Sequence, residues 1–263
     1  MLSWASIKMT LRLGVLKVGT AYRGARERLG DFDRMFVTLL SRPGQTWSAY
    51  DVEHGVFPGD PAAHDGYVIT GSRYSAYDDI PWMARLLDLI RAAHGRGIPM
   101  LGVCFGHHAL AQALGGLVQP NPKGWDIGAR TLRLTEAGRA VPSLASAPGP
   151  LAILETHQDA VLRLPPGAVT LAGSDHTACE IFALGGSTLG VQGHPELDAD
   201  AIREAIGRLS QAGVLSAERA QQGLESLAAP LQGGLLRNWL GEFLAAGGLA
   251  LPPTPAAVPP GGE

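Results

Sequence analysis

Residues 99–116 read PMLGVCFGHHALAQALGG, and this stretch decides the fold. Pro99–Val103 (PMLGV) is a short apolar run of the kind that forms a buried parallel strand. Cys104, Phe105 and Gly106 follow without a spacer, and His107–Leu114 carries helical periodicity closed by Gly115-Gly116. The reading is strand, tight turn, helix, with G-x-C-x-G (Gly102, Cys104, Gly106) at the turn. This is the cysteine form of a nucleophile elbow, in which a sharp turn strains the nucleophile's backbone and small neighbours relieve the crowding. The turn also sets the Cys104 thiol at a helix N-terminus, where the dipole and free N–H groups favour thiolate. The N–H of Phe105 then points where an oxyanion would develop. A cysteine packed as a small hydrophobe is the bland alternative, but that role needs neither the strand before nor the helix after.

Working outward, strands and helices alternate. Leu11–Val18, Thr46–Val52 and Gly66–Thr70 read as strands, and Asp31–Leu40 and Pro81–His94 as helices. In the second helix Pro81 sits near the start and Met83, Leu86, Leu87 and Ile90 form one face. Such alternation implies a mostly parallel sheet covered on both faces. Beyond it, short β segments are expected at Thr131–Leu134, Ala160–Leu164, Val169–Ala172, Glu180–Ala183 and Thr188–Gln192, and helices at Ala201–Leu209, Ala217–Leu227 and Leu235–Leu244. The expected organisation is one domain over 11–245, an N-terminal extension over 1–10, and a flexible Pro/Gly-rich tail over 251–263.

Composition narrows the function classes. The 263 residues are 46% apolar and 17% charged, enough to bury a large core. A net charge of −3 gives no electrostatic footprint for nucleic acid. No apolar run approaches the ~20 residues of a membrane span, and Lys8, Arg12 and Lys17 interrupt any signal-peptide core. Two cysteines make no disulfide framework, so the expected setting is cytoplasmic.

A cysteine nucleophile needs a base, and the base needs an orienter. Among eight histidines, His194 is best placed, because GVQG (Gly190–Gly193) leaves a strand directly into His194-Pro195-Glu196. Pro195 fixes the turn, so Glu196 can reach the far ring nitrogen of His194 and stabilise imidazolium.

GVCFGH, GVQGHPE and the upstream YVITGSRYSAYDDIPW together resemble a class I glutamine amidotransferase domain, of the stand-alone kind similar to the amidotransferase half of GMP synthase and to plant γ-glutamyl peptidases. The resemblance implies a flavodoxin-like α/β fold and a Cys-His-Glu triad, whose roles fall on Cys104, His194 and Glu196. It places the second oxyanion donor in Thr70-Gly71-Ser72-Arg73, at the Ser72 N–H, with Gly71 freeing the turn. One departure stands out: the family usually carries Gln four residues after the nucleophile, and this chain has His108. THQD matches a segment bordering the glutamine pocket, which assigns Thr156 and His157 to the rim. His107 is expected to pack under its helix, Asp126 to fix a turn, Asp78-Asp79 to cap a helix, and Cys179 to be a core thiol. Cys104, His107 and His108 do not make a metal set, since adjacent helical residues point about 100° apart; neither metal nor cofactor is expected.

The implied activity is cleavage of the glutamine γ-amide through a γ-glutamyl thioester, with ammonia passed to a separate synthetase. A stand-alone γ-glutamyl peptidase is the alternative within the same chemistry. A non-catalytic binding module on this fold is the alternative from another class, and the joint presence of cysteine, histidine and glutamate argues against it.

Overall fold

The computed structural model describes residues 10–146, 149–228 and 233–250. The expectations for an N-terminal extension over 1–10 and a tail over 251–263 fall almost wholly outside that range. In chain order the elements are β1 (Leu11–Lys17), α1 (Arg23–Leu29), α2 (Phe32–Leu40), β2 (Gln45–Asp51), β3 (Gly66–Ile69), α3 (Pro81–Gly95), β4 (Met100–Val103) and α4 (Phe105–Ala113). Then come β5 (Leu117–Pro120), β6 (Asp126–Leu134), α5 (Glu136–Arg139), α6 (Pro142–Ala145), β7 (Leu151–His157), β8 (Asp159–Arg163), β9 (Val169–Gly173), β10 (Ile181–Leu184) and β11 (Thr188–Val191). Helices α7 (Ala199–Gln211), α8 (Ala217–Ser226) and α9 (Gly233–Ala245) complete the described order.

Nine strands form one mixed sheet in the order β2-β1-β3-β4-β11-β10-β9-β6-β7. From β2 to β11 neighbouring strands run parallel, and from β11 onward every pairing is antiparallel. Strand alternation sends successive residues to opposite faces. Val68, Leu101 and Val103 therefore face Phe36 and Leu40 of α2 and Trp239, Leu240 and Phe243 of α9. Tyr67, Ile69 and Met100 face Leu86 and Ile90 of α3 and Leu110 of α4. Both faces are covered, as the alternating elements imply.

Local chemistry sets the helix starts. Asp31 caps α2 by accepting from the Phe32 N–H, and Phe32, Met35, Phe36 and Leu40 line its buried stripe. In α3, Pro81 occupies the first turn after Ile80, and the buried stripe is Met83, Leu86, Leu89, Ile90 and Ala93. Leu89 thus takes the inward position expected of Leu87, which is only partly buried. Asp78 does not cap α3; its carboxylate accepts the Ser75 N–H at 2.9 Å and closes the preceding turn.

Candidate active site

Three neighbouring strands, β3, β4 and β11, end on the same edge of the sheet, and each hands the chain to a residue of the expected site. The register aligns Ile69 with Gly102 and Val103 with Val191. Cys104 follows β4, Thr70-Gly71-Ser72 follow β3, and Gln192-Gly193-His194 follow β11. The carboxyl edge of a parallel sheet is where α/β proteins place ligands.

Cys104 has φ 52° and ψ −105°, the one positive φ outside glycine among the described residues. Its N–H donates to the Val191 carbonyl at 2.9 Å, while its carbonyl accepts the His108 N–H at 3.1 Å as α4 begins. The helix starts at Phe105, two residues earlier than periodicity indicates, so the Phe105 N–H lies in a first turn that has no intrahelical acceptor. The flanking glycines are sterically required. A Cβ on Gly106 would fall on the Ile69 carbonyl, and one on Gly102 would fall on the Gly106 carbonyl.

His194 and Glu196 meet as expected: Nδ1 of His194 lies 2.7 Å from Glu196 Oε1. Both residues are buried. Carboxylate oxygens only accept, so Nδ1 carries the proton and Nε2 faces Cys104, with no other partner. Burial alone would lower the His194 pKa, but the Glu196 carboxylate and Cys104 outweigh it and hold it well above the usual histidine range. Gly71 packs against the same ring: a Cβ there would lie 3.0 Å from His194 Cε1 and 3.7 Å from Cys104 Cβ. Thr70 pins this loop, its hydroxyl donating to the Gly71 carbonyl at 3.1 Å and accepting the Val18 N–H at 2.9 Å.

A cavity of about 120 Å³ opens beside Cys104 and Phe105. Ser72, His108, Thr156 and His157 line it, which gathers all the expected substrate-side residues except Gly71. His108 is buried and its Nε2 is hydrogen-bonded to Gln192 Oε1 at 2.8 Å. Burial first, and then the neighbouring His157, push its pKa down to about 4, so the ring is neutral and Nε2 is the donor to that carbonyl. His107 faces away and packs its ring against Phe182, 4.9 Å between centroids, as a helix-packing residue should. Cys179 is buried, and burial pushes its thiol up to about 12.

Arg73, Tyr74, Trp125 and Asp159 also line the cavity, and the sequence reading assigned none of them. Asp159 accepts from the Ser75 hydroxyl at 2.6 Å and the Tyr77 hydroxyl at 3.0 Å, tying the loop after β3 to the start of β8. Its place in THQD and that of Trp125 in KGWD were the available signals. Asp126, expected to fix a turn, is instead the fully buried first residue of β6 and pairs with Arg130 of the same strand at 2.7 Å.

Fold and site together define a family. Residues 58–208 match the model for the class I glutamine amidotransferases, and the chain belongs to that family. It is 35% identical over 188 residues to γ-glutamyl peptidase 5 of Arabidopsis thaliana, covering 70% of this chain and 75% of the relative. With γ-glutamyl peptidase 3 of the same plant it shares 30% over 202 residues, covering 75% and 81%. A glutamine amidotransferase crystal structure from Methylobacillus flagellatus superposes with a TM-score of 0.68 at 25% identity, covering 94% of this chain and 98% of that one. No helix among the described residues is long and apolar enough to cross a membrane.

Proposed function

We infer that the chain is a cysteine hydrolase of γ-glutamyl amide bonds, working through a γ-glutamyl thioester on Cys104. The observation that carries the reading is Cys104 at a strained strand-to-helix turn, facing a buried His194 whose far nitrogen is held by Glu196. In this reading the resting pair is thiolate and imidazolium. The Cys104 sulfur attacks the γ-carbonyl carbon, and the oxyanion is met by the N–H groups of Phe105 and Ser72, with Gly71 freeing the loop. His194 Nε2 gives its proton to the departing amine as the C–N bond breaks. It then takes a proton from water, which attacks the thioester and releases the γ-carboxylate and Cys104. Glu196 keeps Nδ1–H in place throughout. His108, Thr156 and His157 form the wall that receives the glutamyl end.

Glutamine and γ-glutamyl peptides present the same bond, and the names of the Arabidopsis relatives support the peptides as substrates. His108, in place of the glutamine usual in the family, supports a wall altered from the glutaminase form. Release of ammonia from glutamine to a separate synthetase is the competing use of the same chemistry. Incubation with glutamine and with γ-glutamyl dipeptides, followed by amine release, tests the reading. Turnover of the dipeptides well above that of glutamine is expected, and Cys104→Ala should lose about 10³-fold or more of it. Undiminished hydrolysis by Cys104→Ala would refute the role of Cys104, and turnover of glutamine alone would assign the chain to the ammonia-donating branch.

A further inference from the structure

Behind the turn that carries His194 lies a group of ionisable side chains of which only His157, in the cavity wall, has a place in the hydrolytic reading. Glu155 and His157 stand two apart on β7, so both leave the strand on one face. Glu180 enters the same space from the residue before β10. Their exposures are 0%, 4% and 1%. His157 Nε2 lies 3.4 Å from Glu155 Oε2, and one donor atom from each of the three residues lies within 4.8 Å of the others. Asp126 Oδ2 stands 3.9 Å from the same nitrogen, its charge already matched by Arg130. Gly193 closes the group from the His194 side, because a Cβ there would fall on Glu155 Oε1.

Well-aligned hydrogen bonds among the described residues do not account for this arrangement. His157 Nδ1 lies 2.7 Å from the Asp159 carbonyl, which can only accept, so Nδ1 carries a proton and in the neutral ring Nε2 presents the lone pair. In that form the lone pair faces the carboxyl oxygens of Glu155 and Asp126. Both oxygens of Glu155, both of Glu180 and His157 Nε2 are buried without a well-aligned donor. The Ser174 hydroxyl lies within hydrogen-bonding reach of Glu180 and 3.5 Å from the Thr177 carbonyl. One potential ligand atom from each of the three buried side chains thus comes within 4.8 Å of the others. Burial first, then Asp126 for Glu155 and Glu155 for Glu180, hold both carboxyl pKa values well above the usual range. A shared proton bridges two of these side chains, whereas a cation takes one atom from each together. A histidine with Nδ1–H fixed by a carbonyl is also the usual outer-shell arrangement of a metal-ligating imidazole.

We propose that Glu155, His157 and Glu180 bind one divalent transition-metal ion of the zinc class. One imidazole nitrogen and two carboxylates suit such an ion better than calcium or magnesium, which favour all-oxygen sets. The ion would fasten β7 to the entry of β10 and hold the His157 ring at the cavity wall. It is assigned no part in the attack on the amide.

The test uses the whole chain, stripped with a chelator and titrated with Co²⁺ and then Zn²⁺. One equivalent of Co²⁺ per chain is expected, with visible d–d absorption that Zn²⁺ abolishes. Glu180→Gln keeps the shape and removes a ligand charge, so its affinity should fall by more than the 10–100-fold that loss of an outer-shell partner causes. Cys104→Ser removes the other thiolate-histidine centre able to hold zinc and should bind as the parent does. Circular dichroism checks that Glu180→Gln folds, and Glu155→Gln provides the same reading if it does not. The proposal is overturned if the folded parent takes up no metal even in excess. It is equally overturned if uptake survives Glu180→Gln and Glu155→Gln, or disappears in Cys104→Ser.

Discussion

Two cysteines of similar burial sit in opposite chemical settings. Cys179 is walled in by apolar neighbours and its thiol is pushed up to about 12, so it stays protonated and unreactive near neutrality. Cys104 opens on the cavity and faces a histidine that carries a proton. Iodoacetamide at neutral pH should therefore modify Cys104 alone, and peptide mapping after brief exposure reads the result directly. The 2.7 Å contact between His194 and Glu196 leads to a second expectation. Glu196→Gln preserves size but replaces the acceptor that fixes the tautomer and supports imidazolium. Its kcat should drop by about 10²–10⁴-fold with a smaller change in KM. An unchanged kcat would remove Glu196 from the proposed mechanism.

At the scale of elements, β4, the elbow and α4 act as one unit because their glycines allow backbones to touch. Gly106→Ala would set a methyl group against the Ile69 carbonyl of β3, which cannot move without breaking the sheet. Destabilisation should reach or exceed the roughly 1–3 kcal/mol of ordinary overpacking, measured by urea denaturation. This unit was also the most legible part of the sequence, since a glycine-flanked cysteine between a strand and a helix admits few other readings. Less legible elements lacked a periodic signal. Helix α1, RGARERL, buries only Ala25 and so carries no apolar stripe. Strand β7, LAILETH, is not among the expected strands, because its polar end, Glu155, Thr156 and His157, breaks the apolar run although the fold buries two of the three. For the same reason the candidate site emerged unevenly. Cys104, His194 and Glu196 stand in local motifs, whereas Arg73, Tyr74 and Trp125 reach the cavity only through tertiary folding.

Across the whole molecule, stability should depend on pH through groups buried near the sheet. His107 is fully buried, and burial, followed by repulsion from His108, holds its pKa well below the usual value. The folded state thus resists protonating it, while the unfolded chain accepts a proton near pH 6.5. Its contribution is fully present above that pH and is lost as pH falls toward the depressed folded value. Thermal unfolding should show the melting temperature declining below about pH 6.5. His107→Leu should make that decline shallower; an identical slope in both proteins would exclude His107 as its source.

The alignment of β3, β4 and β11 has a consequence for how this protein can change over time. Groups proposed for the chemistry hang from the ends of strands locked by backbone hydrogen bonds, whereas Arg73, Tyr74, Trp125 and Gln158 line the cavity from turns and loops. Amide hydrogens in the three strands should exchange with solvent among the slowest in the molecule, and those of the wall loops far faster. Selectivity can then drift by substitution in the wall while the spacing of Cys104, His194 and the loop at Gly71 is conserved by the sheet. Diversification of those four wall positions would be expected to redistribute preference among amines leaving from the γ-carbonyl and to leave the reactivity of Cys104 toward alkylation intact.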